Sequence, residues 1–160
     1  MSAAPALRRA GLCILLISAA ACGPAPGAPT SNPNVLRVTT QLPNGTVTAV
    51  LPRDGFHAGG QAQLRLEILC RSGTISGPTR AEVLIASISG ANVHVRTLEV
   101  APVTVTGGAQ STVNVVWDQK NDDGRAVASD DFTLALGFDA APASQQRQAV
   151  DVRVTLTVGP

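Results

Sequence analysis

From position 35 onward apolar side chains recur at every second residue, and no window of useful length sustains helical spacing. Leu64, Leu66, Ile68 and Cys70 alternate with Arg65 and Glu67. Val113, Val115 and Trp117 alternate with Thr112 and Asn114, and Phe132, Leu134, Leu136 and Phe138 form a third such run. Val150, Val152, Val154, Leu156 and Val158 alternate with Asp151, Arg153, Thr155 and Thr157, and Val93 and Val95 flank His94. A strand turns successive side chains to opposite faces, so each run has one dry face and one wet face. Segments 36–42 and 46–51 alternate less cleanly. Pro43-Asn44-Gly45 separates them, a hairpin signal in which Asn and Gly are expected to supply positive φ. Further Gly- and Pro-containing breaks fall at 52–55, 59–60, 73, 77–78, 107–108 and 124. The pattern predicts an all-β antiparallel sandwich of seven to nine strands over residues 35–160, with no intervening helices and no second domain.

The first 34 residues follow different rules. Arg8-Arg9 precedes the apolar run Ala10-Gly-Leu-Cys-Ile-Leu-Leu-Ile17, and Ser18-Ala-Ala-Ala-Cys22 follows it. A charged start, a short apolar run and small residues before a cut make a signal peptide, and the run is well short of the roughly 20 residues of a membrane span. The cysteine directly after the small residues resembles a bacterial lipoprotein signal. That resemblance implies cleavage after residue 21 and lipid on Cys22, hence an exported protein anchored in the cell envelope. Ordinary cleavage and secretion is the alternative. Gly23 stands where an Asp would signal retention in the inner membrane, which points toward the outer membrane. Residues 23–34 hold four prolines and no large apolar side chain, so they read as a semi-extended tether.

Composition narrows the partners. Without Arg8 and Arg9, 10 of the 12 basic residues remain against 11 acidic ones, which leaves no basic footprint for nucleic acid. Tyrosine is absent and Trp117 is the only tryptophan, so a base-stacking platform is not expected. Of the three cysteines, Cys13 leaves with the signal and Cys22 takes lipid. Cys70 shares the parity of Leu64, Leu66 and Ile68, so it is expected to be a buried thiol.

One stretch carries more specific information. Ala81-Glu-Val-Leu-Ile-Ala-Ser-Ile-Ser-Gly90 leads to Val95-Arg96-Thr97-Leu98, then to Trp117-Asp118, Asn121-Asp122-Asp123-Gly124, Val127 and Phe132. Over residues 81–138 this order resembles the immunoglobulin-like domain of the flagellar hook capping protein and related exported bacterial proteins. The resemblance implies an immunoglobulin-like sandwich in which Trp117, Asp118, Asp122, Asp123, Gly124, Val127 and Phe132 form a structural motif. The bacterial intracellular proteinase inhibitor family is similar over the Trp-Asp and Asp-Gly stretch. Without either family, Trp117 shares parity with Val113 and Val115 and should seal one end of the core. Asp118, Asn121, Asp122 and Asp123 are suited to Asx-type turns, and Gly124 to positive φ at the reversal.

The same acids could be read as a calcium loop, yet Gln119, Asn121 and Asp123 lack the leading acid and Lys120 adds positive charge, so no metal is expected. His94 should point to solvent, and His57 lies in the loop at 53–60. Two scattered histidines and one thiol do not make a zinc set, and no Gly-x-Ser-x-Gly or phosphate-binding glycine pattern occurs. No catalytic residue and no cofactor are expected. The sequence favours a lipid-anchored, non-enzymatic binding or structural module that meets an envelope protein through strand edges or the loops at 53–60 and 120–131. A proteinase inhibitor presenting the loop 53–57 is the alternative.

Overall fold

The structure, a computed structural model, describes residues 32–160. The leader, Cys22 and the tether up to residue 31 lie outside the described residues. Ten strands follow in chain order: β1 Val35–Leu42, β2 Gly45–Pro52, β3 Phe56–His57, β4 Ala62–Cys70, β5 Thr74–Ala86, β6 Asn92–Thr97, β7 Val103–Thr106, β8 Gln110–Trp117, β9 Asp130–Ala141 and β10 Gln148–Gly159. They form an antiparallel sandwich of two sheets, with the single parallel pairing between β3 and β10. One sheet has the order β1-β2-β4-β8. The other runs β3-β10-β9-β5-β6, with β7 also paired to β5. The number exceeds the expected seven to nine because β3 and β7 are only 2 and 4 residues long, too short to show a period in sequence.

The period-two runs become the core faces. Leu64, Leu66, Ile68 and Cys70 on β4 face Val152, Val154, Leu156 and other apolar side chains of the opposite sheet in one buried cluster. Each fully buried Leu or Val contributes about 1.5 to 3 kcal/mol relative to exposure, which is how a chain so poor in aromatics holds two sheets together. Arg65 and Glu67 turn outward, and Glu67 accepts hydrogen bonds from Arg37 and Arg65, each at 2.7 Å. The long strand β5 bends to serve two neighbours. Against β9 its register advances from Ser76 to Arg80 while β9 advances only from Asp139 to Gly137, so residues 77–79 bulge out. The first part of β5 then pairs β7, and the last part pairs β6.

The hairpin between β1 and β2 departs from expectation. Neither Asn44 nor Gly45 has positive φ. Asn44 is buried and its amide donates to Ser72 O and Thr74 O, both at 2.8 Å, so it pins the β4–β5 turn instead of shaping its own. Gly45 is required by proximity: a Cβ there would lie 2.0 Å from Leu69 O.

Candidate functional site

The expected motif residues gather at one end of the sandwich. Trp117 ends β8 and Phe132 lies near the start of β9, on opposite sheets, and their rings meet edge to face with centroids 4.9 Å apart. Both are buried, so the pair seals this end, as the parity of Trp117 predicts. Trp117 Nε1 donates to Lys120 O at 2.9 Å and thereby ties the following loop to the core. Val127 is half-buried against the same cluster, and its N–H donates to Gln119 O at 3.0 Å.

Between these anchors the chain makes a small hairpin, closed by a bridge of Lys120 with Ala126. Asn121 Oδ1 accepts the Arg125 N–H at 2.9 Å, and Asn121 O accepts the Gly124 N–H at 3.0 Å. Gly124 adopts φ 77°, as the turn predicts. Asp118 Oδ1 accepts the Lys120 N–H at 3.3 Å, a local Asx contact. Asp123 is exposed at the tip.

Asp122 does something the sequence reading does not foresee. Instead of serving its own turn, it reaches across to the outer edge of β6. Its N–H donates to Val95 O at 3.0 Å, and its Oδ1 accepts the Thr97 N–H at 3.2 Å. Its Oδ2 lies 2.8 Å from His94 Nε2, and Arg96 Nη1 donates to the adjacent Asn121 O at 3.0 Å. His94 is exposed as expected, but it is a partner of Asp122 and not a merely solvated side chain. The His94 hydrogen bond, followed by the Thr97 N–H, holds the Asp122 carboxyl below the ordinary aspartate range. The separation of 28 positions between His94 and Asp122 explains why spacing alone conceals the contact.

Beside this clamp, an open groove of about 330 Å³ runs between β6 and the hairpin, walled by Ile85, Val93, Val95, Val127 and Phe132 with His94 and Asp130. Its walls offer apolar contact and a charged margin, with no serine, threonine, cysteine or lysine in the lining. The two acids that open β9 make other contacts: Asp130 Oδ1 accepts the Asp131 N–H, and Asp131 Oδ1 accepts from Thr157. Among the described residues no group of three or more His, Cys, Asp or Glu side chains is placed to hold a metal ion.

The other candidates lie elsewhere. Phe56 is buried, and β3 pairs the end of β10, so the segment 53–60 is tied down in its middle. His57 O accepts the Gln119 amide at 2.9 Å, which links this segment to the Trp117 loop. Gln119 is buried, holds φ 55° without being glycine, and leaves its Oε1 without a partner. Cys70 is fully buried, and its thiol donates to Ser72 O at 3.3 Å. No protein-family model matches the chain, and no curated protein matches it.

Proposed function

We propose that this chain is an exported, lipid-anchored protein whose immunoglobulin-like sandwich acts as a non-enzymatic binding or structural module at the cell envelope. The observation that carries the reading is the run Ala19-Ala20-Ala21-Cys22 after a short apolar segment, followed by a Pro-rich stretch that ends where β1 begins at Val35. Several acyl chains on one residue give stable anchoring, at about 0.8 kcal/mol per buried methylene. The arrangement would present the domain at a distance set by the tether. The parts suited to a protein partner are strand edges, where backbone groups contribute affinity and side chains contribute selectivity. The burial of Phe56 and the pairing of β3 with β10 count against the inhibitor alternative, which needs the segment 53–57 to protrude, although Arg53, Asp54 and His57 are exposed.

Intact mass of the protein purified from membranes of its host, beside a Cys22→Ala variant, tests the anchor. The expected result is cleavage before Cys22 with acyl mass that the variant lacks. A soluble, unacylated product would overturn it.

A further inference from the structure

Among the described residues, the sandwich has one edge along which most of a long strand pairs with no other strand on its outer side. β10 pairs β9 along its length, but on its other side β3 reaches only Val158 and Gly159. Gly159 O accepts the Ala58 N–H at 2.9 Å, which sets the polar groups of Gly159 on the outer side. Strand alternation without a register shift then points the N–H and C=O of Asp151, Arg153 and Thr155 outward as well. Asp151 and Arg153 are both exposed, on the solvent face of the sheet. Arg80 contacts Asp151 at 2.9 Å, whereas Arg153 has no carboxylate within salt-bridge distance among the described residues.

We infer that this edge is a self-association surface that takes the same edge of a second copy of the chain, antiparallel and centred on Val152. In that register Asp151 of each copy faces Arg153 of the other, and Ala149 faces Thr155. All four residues carry outward backbone groups, so each facing pair would exchange both N–H···O bonds. Pairing would run from Gln148 opposite Leu156 and stop before Val158, where β3 occupies the edge. Charge selects the register. A slip that centres the pair on Asp151 sets Asp151 against Asp151, and one that centres it on Arg153 sets Arg153 against Arg153, and like charges directly opposite are destabilising. Edge charges ordinarily keep strands apart. Opposite signs two residues apart on one strand instead favour a copy of itself over an arbitrary strand.

The inference is independent of lipid on Cys22. Its test is sedimentation velocity of the full chain in detergent over a concentration series, with Arg153→Asp, Asp151→Arg and an equimolar mixture of the two. The wild type is expected to dimerise. Each variant alone is expected to weaken dimerisation about tenfold or more, because both pairs that join position 151 to position 153 become repulsive. The mixture restores complementary pairs and is expected to form heterodimers, which also shows that both variants are folded. A monomeric wild type, a variant that dimerises as tightly as wild type, or a mixture no more associated than its components would overturn the inference.

Discussion

The two outer edges of the larger sheet end in opposite ways. At β6 the chain closes its own edge: Asp122 uses its N–H on Val95 O and its carboxylate on Thr97 N–H, and His94 secures the same carboxylate. At β10, among the described residues, only Val158 and Gly159 pair on the outer side, and the stretch before them carries an acid and a base two positions apart. An open row of backbone donors and acceptors is a template for another strand, so a fold must cover it or restrict what pairs with it. Here one edge is covered and the other is marked by charge. The covered edge belongs to the Trp117 motif, which assigns that motif a structural task in this chain: it positions a clamp.

The strongest way to break the contrast is at the anchor of the clamp. Trp117→Ala removes a buried indole, its edge-to-face contact with Phe132 and its bond to Lys120 O. Urea denaturation should show a loss of about 3 to 5 kcal/mol, and an unchanged midpoint would separate the loop from the core. Asp122→Ala leaves the core intact but makes β6 resemble β10. The Thr97 amide should then exchange faster while global stability falls far less than for Trp117→Ala, as read by residue-resolved hydrogen exchange.

Acid should produce the same opening reversibly. The Asp122 carboxyl is depressed in the folded state, so its contribution is present above the ordinary aspartate value and is lost as pH falls through the lower folded value. Protection at Thr97 is therefore expected to persist through mildly acidic pH and to fade only below the ordinary aspartate range. Protection lost well above the ordinary aspartate range would contradict a clamp that depends on the Asp122 carboxylate. The smallest effect is at the hairpin tip: Gly124→Ala meets no atom within 4 Å but must hold φ 77°. It should cost about 1 kcal/mol in thermal melts, with the clamp retained.

The features legible in the sequence are those set by local alternation. The inward parity of Trp117, the dry face of Leu64, Leu66, Ile68 and Cys70, and the turn at Gly124 all follow from neighbours a few residues away. What stayed hidden depends on contacts made across the fold. β3 is defined by its partner at Val158 and Gly159 and not by its own two residues. Asn44 belongs to a turn by sequence, yet its task is set by Ser72 and Thr74. Asp122 looked equivalent to Asp118 and Asp123, and only the approach of β6 distinguishes it. β5 lacks clean alternation because residues 77–79 bulge out of register with β9.

Hydrogen–deuterium exchange of the full chain at a low and a high protein concentration compares both edges in one experiment. The Thr97 amide should be protected equally at both concentrations, because its acceptor lies within the same chain. The Asp151 and Arg153 amides should exchange rapidly when dilute and become protected when concentrated. An unprotected Thr97, or Asp151 and Arg153 amides indifferent to concentration, would contradict the account of one edge closed by the chain and the other by its copy.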